Sequence, residues 1–214
     1  MAGKAHLLVD SFSPMLLDNK ERAPFDDPAW LFEIKIDGYR VLAEVAGGQA
    51  ALRTRNGADC TEWFPEVAGG LRSLPGGPHV LDGEAAVLDD VGRSDFDRLQ
   101  DRAKRRRWYQ GCDPVAYMIF DLLVHNGKNI TKLPLAERKA RLQKMLTPAP
   151  DSVLYMQHFE SESVLPFQQA VVPLQLEGLV GKRRDSLYVP GARSRDWVKV
   201  KRPGAVPAKR FKTE

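Results

Sequence analysis

An α+β domain built on antiparallel sheets is the fold this sequence predicts, on three observations. Strand-like and helical stretches are interspersed rather than strictly alternating, which disfavours a doubly wound parallel sheet. Short apolar runs are separated by the turn signals Asp-Gly and Gly-Gly. No GxxxxGK[ST] and no GxGxxG occurs, so neither a P-loop nor a dinucleotide fold has support.

In chain order, "WLFEIKI" (30–36), "YRVLAEVA" (39–46) and "AALRTR" (50–55) read as an antiparallel meander. A helix is predicted over Glu62–Leu74, then a strand in "HVLDGEAAVLDD" (79–90) and a helix over Ser94–Arg107. "VAYMIFDLLVH" (115–125) is nearly all apolar and is expected at the centre of a sheet. The next helix, Leu135–Leu146, starts after Pro134 and spaces Leu135, Leu142, Met145 and Leu146 helically. A fourth is predicted over Glu162–Leu176, followed by short strands in "GLVGK" and "WVKVK".

With 43% hydrophobic and 28% charged residues in 214, the composition is that of an ordinary globular chain with a proper core. No apolar run approaches the roughly 18 residues that span a bilayer, and "MAGKAHLLVDSFSP" has too short an apolar stretch for a secretory signal. The expected location is therefore the cytoplasm. Cys60 and Cys112 lie far apart with no CxxC spacing, so free thiols are expected, with no zinc site.

The net charge of +4 is unevenly spread: residues 193–214 carry eight basic and two acidic side chains. A second cluster, "RAKRRR", holds Arg102, Lys104, Arg105, Arg106 and Arg107. Such clusters can contact nucleic-acid phosphates, although a solvated helix face and tail is the commoner meaning of a charge run.

One lysine stands out. Lys35 sits among Phe32, Ile34 and Ile36, so its ammonium either snorkels to water or faces a cleft where it can act as a nucleophile. Asp37, Gly38 and Arg40 complete K-x-D-G-x-R, which places a carboxylate and a guanidinium near the amine. Further along, Lys199 and Lys201 share a strand face with Trp197, an arrangement suited to a polyanion; if the fold sets them beside Lys35, like charge would favour its free amine.

"KIDGYR" resembles motif I of the covalent nucleotidyltransferases: DNA ligases, RNA ligases and messenger-RNA capping enzymes. "RTRNG" resembles motif Ia, "LDGEAAVLDD" carries the family's Asp-Gly-Glu, "YMIFDLL" is similar to motif III, "LEGLVGKR" to motif IV and "WVKVK" to motif V. The matches run in order over residues 30–201. "PFDDPAWLFEIKIDGYR" and "FDRLQDR" further resemble the ligase part of bacterial end-joining ligase D proteins.

The resemblance implies an adenylation (nucleotidyltransferase) domain of ATP-grasp-like type over residues 1–201, with two antiparallel sheets flanked by helices and the nucleotide between them. It implies that Lys35 attacks the α-phosphate of ATP, with Asp37 orienting the lysine or its metal. Arg40 would meet phosphate or ribose, Arg55 the ribose, and Glu84 the ribose and a metal. Phe120 would stack on adenine and Glu33 lie near the adenine edge. Strand alternation puts Phe120 on one face with Leu122 and Val124. Glu177 would bind Mg²⁺ or Mn²⁺, while Lys182, Lys199 and Lys201 neutralise phosphate beside Trp197.

The implied partner is nicked or broken double-stranded DNA, in end-joining repair, with a polymerase, nuclease or end-binding protein as companions. Family members follow this domain with an oligonucleotide-binding-fold domain. Residues 202–214 therefore read as a basic tail or the start of a linker, and the chain as an excised catalytic domain or, less readily, a natural minimal protein that borrows the missing part, with weak or absent sealing activity. The alternatives are an RNA ligase, a capping-type guanylyltransferase, or a non-catalytic nucleic-acid-binding module.

Overall fold

The computed structural model of the chain describes residues 8–205. Lys209, Arg210, Lys212 and most of the expected linker lie outside the described residues, as does the start of the N-terminal stretch.

A 3-10 turn, Leu8–Ser11, leads into β1 (Leu16–Leu17), β2 (Trp30–Ile34), β3 (Tyr39–Ala46) and β4 (Gln49–Thr54). Then come α1 (Pro65–Arg72), β5 (His79–Ala86), α2 (Phe96–Lys104), β6 (Ala116–His125) and β7 (Lys128–Asn129). After α3 (Leu135–Met145), β8 (Val153–Tyr155) and β9 (His158–Glu160), a single turn, α4 (Val164–Pro166), runs into a π-helical turn, Phe167–Val171. The chain finishes with β10 (Gly178–Arg183), β11 (Arg193–Ser194) and β12 (Trp197–Lys201).

Two sheets form the body. One is antiparallel in the order β12-β10-β2-β9; the other runs β4-β3-β5-β6-β7, with β8 added parallel along β6. The apolar β6 has partners on both edges, as its sequence predicts. A parallel pair, β1-β11, is the only other ladder among the described residues.

The expected meander is corrected. β2 does not pair with β3; it lies between β10 and β9 in the other sheet. Asp37-Gly38 is thus a crossing between sheets rather than a hairpin, and its packing shows why. A Cβ on Gly38 would stand 2.3 Å from the Ala85 carbonyl oxygen, so the chain here is pressed onto the β5 backbone. The true hairpin is Gly47-Gly48, both at positive φ (57° and 71°), the conformation of a primed two-residue turn joining β3 to β4. Gly38→Ala is expected to lower Tm by roughly 3–10 °C through overpacking. A thermal melt checks this, and an unchanged melt would show that β5 can yield.

Two further expectations shift. The helix predicted to reach Leu176 ends at Val171, just before Pro173, which has no N–H to extend it. In β6 the register against β5 slips at Val80/Leu81 and Asp82/Gly83. Strict alternation is lost at these bulges: Phe120, Leu123 and Val124 join one core while Leu122 turns to the other.

Three cores result. The outer face of the larger sheet packs on α1, α2 and α3 through Phe64, Leu71, Leu99 and Leu142. Its inner face meets the smaller sheet through Met118, Phe120, Tyr188 and Trp197. The outer face of the smaller sheet is covered by the π-helical turn through Phe167 and Val171. Helix α3 braces both sheets. Arg138 forks onto Asp121 of β6 (2.7 and 2.8 Å), and the next residue, Lys139, bonds Glu33 of β2 at 2.6 Å.

Candidate active site

Between the sheets lies a cleft of about 1090 Å³ whose lining includes seven basic residues and three acidic ones. That excess of positive charge in a partly enclosed space suits a polyphosphate. The lining gathers most of the residues singled out from the sequence: Glu33, Lys35, Arg40, Arg55, Glu84, Phe120, Glu177, Lys182, Trp197, Lys199 and Lys201.

Lys35 follows the end of β2. Its Nζ lies 2.5 Å from Glu177 Oε2, and Lys201 Nζ approaches the other oxygen of the same carboxylate at 3.6 Å. A carboxylate therefore stands between the two amines, where like charges in contact were expected. Lys201 also meets Glu21 at 3.3 Å, and Lys199 Nζ is 3.5 Å from the Asn19 carbonyl oxygen. Trp197, Lys199 and Lys201 do share one face of β12, while Val198 and Val200 face the opposite core.

Glu33 is buried at the cleft floor and bonds two lysines, Lys139 and Lys182, each at 2.6 Å. Burial alone would raise its pKa, but the two ammonium groups outweigh it and hold the carboxyl below its usual range. Lys182 is pushed down to about 8, chiefly by desolvation, against the pull of Glu33. Its Nζ also sits 4.0 Å from the Phe120 ring centroid and 4.4 Å from that of Trp197.

Between pH 8 and 10.5 the unfolded chain holds more protons at Lys182 than the folded one, so this residue's contribution to stability rises with pH across that window. Relative to Lys182→Met, the wild type is expected to gain stability from pH 8 to 10.5 and to show no such gain below pH 8. Urea unfolding at a series of pH values checks this, and a relative loss across the window would contradict it.

Arg40 is already engaged. Its Nε and Nη2 fork onto buried Asp82 at 2.6 and 2.7 Å, Tyr188 donates to the same carboxylate at 2.6 Å, and the guanidinium lies 4.4 Å over Phe120. The Arg40 pKa stands above its usual value; burial opposes this, and Asp82 prevails. Arg40 thus shapes the aromatic floor from beneath. Arg55, in contrast, is exposed at the rim, and Glu84 lies across the strand ladder from Arg40.

Asp37 is not brought into this cleft. It lines an adjoining cavity of about 490 Å³ that Lys35 and Glu177 share, and its backbone N–H donates to Ser94 Oγ at 3.1 Å. Arg102 is a correction: it is 1% exposed, with Nη1 bonded to the Arg107 carbonyl at 2.8 Å and Nη2 3.3 Å from Glu66. It sits with Phe96 and Leu99 on the buried face of α2, at helical spacing, and cannot touch DNA. Lys104, Arg105, Arg106 and Arg107 are exposed.

Lys139, Asp82 and Tyr188 escaped the sequence reading. For Lys139 a signal existed: Leu135, Arg138, Lys139 and Leu142 complete an i, i+3, i+4, i+7 face, all buried. Asp82 is the first member of the Asp-Gly-Glu already noted, where only the glutamate had a role, and nothing local marks its partner Tyr188, 106 positions away.

Two features of the cleft suit a bound nucleotide. Trp197 Nε1 is buried without a hydrogen-bond partner among the described residues, and Lys182 Nζ is held there by its ion pair with Glu33 and the two aromatic rings alone. Among the described residues no three His, Cys, Asp or Glu side chains converge as a metal site. Glu84 and Glu177 both line the cleft, and the donor chemistry needed there is modest: a hard cation can take one or two carboxylates and complete its shell with phosphate and water. Both cysteines are free, and no helix among the described residues is long and apolar enough to cross a membrane.

Comparison with known proteins follows the same lines. Residues 14–201 match the family profile of the ATP dependent DNA ligase domain. The chain is 35% identical over 189 residues to the multifunctional non-homologous end joining protein LigD of Pseudomonas aeruginosa, covering 88% of this chain and 22% of that protein. It is 32% identical to the SPbeta prophage-derived DNA ligase-like protein LigB of Bacillus subtilis, covering 88% and 66%. Among solved structures, a mycobacterial DNA ligase D complexed with ATP and MES superposes with a TM-score of 0.79 at 31% identity, covering 91% of this chain and 62% of that one. The ligase domain of Mycobacterium tuberculosis LigD gives 0.78 at 30% identity, covering 91% and 61%.

Proposed function

Because the chain belongs to the ATP-dependent DNA ligase domain family, we propose that it is the adenylating core of a DNA ligase of the end-joining type, with Lys35 as its nucleophile. The observation that carries this is the setting of Lys35: its Nζ is held on Glu177, 2.5 Å away, at the edge of a cationic cleft between two sheets. That the mycobacterial relative was solved with ATP supports ATP as the occupant.

The chemistry needs positioning and charge neutralisation more than covalent novelty. Lys35 Nζ attacks the α-phosphorus of ATP. A P–N bond forms, the bond to the bridging oxygen breaks, and pyrophosphate departs with that electron pair. The proton lost by the amine has an acceptor in Glu177, 2.5 Å away. Lys199, Lys201 and Arg55 neutralise the phosphates, and Phe120 and Trp197 form the floor of the base and ribose site. Glu84 and Glu177 would hold Mg²⁺ or Mn²⁺, which supplies charge neutralisation at phosphate oxygens. Asp37 acts from the adjoining cavity through the turn that presents Lys35. The adenylyl group is then passed to the 5′-phosphate of a DNA break, and attack by the 3′-hydroxyl seals it with release of AMP.

Incubation with α-labelled ATP and with α-labelled GTP, followed by nicked DNA and its RNA counterpart, tests this reading. Covalent label from ATP alone, stable to denaturation and alkali but lost in hot acid as a P–N bond must be, and chased onto DNA, is the expected result. Label from GTP would indicate a capping-type enzyme, and a chase onto RNA ends only would indicate an RNA ligase.

A further inference from the structure

The basic cluster after α2 is a built surface rather than a loose charge run. Its one buried member, Arg102, holds it from beneath, bonding the Arg107 carbonyl at 2.8 Å with its guanidinium 5.8 Å from the Tyr109 ring centroid. Arg105 lies on the other contact of that ring, 4.2 Å from the centroid. Arg106 takes a positive φ of 53°, a left-handed conformation uncommon outside glycine, closed by its N–H to the Ala103 carbonyl at 3.0 Å. That turn sets the Arg106 guanidinium 5.4 Å from the ring centroid of Trp63, which itself lines the cleft. The next residue, Trp108, is 59% exposed, the largest side chain left open to water among the described residues.

We infer that residues 105–108 bind the DNA strand leading into the cleft, with Arg105, Arg106 and Arg107 on backbone phosphates and Trp108 stacked on an unpaired base near the break. The inference rests on the DNA-ligase reading and adds to it a preference for ends that carry a short single-stranded overhang. Lys104 is engaged by Asp101 at 2.5 Å, which leaves the three arginines as the phosphate contacts. Continuity through Trp63 and Arg106 makes the nucleotide cleft and this surface one track. An exposed indole beside cations is how proteins hold unpaired bases irrespective of sequence.

The test is fluorescence anisotropy of the full chain with two labelled DNAs at low salt: a duplex with a short overhang and the same duplex blunt-ended. Trp108→Ala should weaken overhang binding by about tenfold or more and blunt binding little, while Trp108→Phe keeps most of the affinity. Arg106→Gly should reduce the salt dependence of binding by about one unit of the log–log slope yet melt no lower than wild type, because glycine suits the left-handed turn. Equal overhang binding by Trp108→Ala and wild type, equal loss on both DNAs, or no overhang binding by the wild type would overturn the inference. ATP labelling measured in parallel separates the two ideas. Wild type that labels but shows no Trp108 dependence loses only this inference, and Trp108-dependent binding without labelling loses only the adenylation reading.

Discussion

Lys35→Ala is expected to abolish covalent labelling from α-labelled ATP, a loss of roughly a thousandfold or more, because no other amine can replace the nucleophile. Lys199 and Lys201 lie on β12, and Glu177 stands between Lys201 and Lys35. Lys35→Arg should fail equally, since a guanidinium does not give up its proton at any working pH. The fold should survive both changes. Glu177 keeps Lys201 as a partner at 3.6 Å, so no carboxylate is stranded, and thermal melts of the two variants should stay near wild type. Residual labelling of a folded Lys35→Ala protein would move the nucleophile elsewhere.

The largest loss of stability is expected on splitting Arg138 from Asp121. Both side chains are fully buried, and the fork between them ties α3 to β6, with Arg138 Nη1 also bonded to the Ser186 and Leu133 carbonyls. Arg138→Met leaves the Asp121 carboxylate buried and unpaired, which costs about 3–5 kcal/mol, a large share of the roughly 5–15 kcal/mol that holds a domain together. The double variant Asp121→Leu with Arg138→Met should recover much of the deficit, because it strands no charge. Urea midpoints measure both, and a deficit under about 1 kcal/mol in the single variant would mean that water reaches the pair. Lys139 rides on the same helix turn, so nucleotide affinity should fall together with stability in Arg138→Met.

The α+β class, the strands of five residues or more and three of the four helices were legible because each rests on local periodicity and turn chemistry; the two- and three-residue strands, β8 and β9 among them, are too short to show a period. Long-range arrangement was less so. Asp37-Gly38 carries a hairpin signature, yet the chain there crosses between sheets, and only contact with Ala85 on β5 reveals it. The β6 bulges, which turn Leu122 away from Phe120, arise from pairing with β5 and leave no mark in an all-apolar run. In the site, ordered motifs named the cleft-lining side chains well. They did not disclose partners: the fork of Arg40 on Asp82, or Glu33 bonded to Lys139 and Lys182, depends on residues brought together from distant segments. Arg102 shows the reverse error, a charge assigned to the surface that the α2 packing face places in the core.

Intact-protein mass spectrometry with ATP, then with pyrophosphate, tests the central claim most directly. A gain equal to one adenylyl group, mapped to the peptide bearing Lys35 and removed by pyrophosphate, is the predicted result. A chain that binds ATP yet never gains that mass, or gains it on another residue, would contradict the assignment.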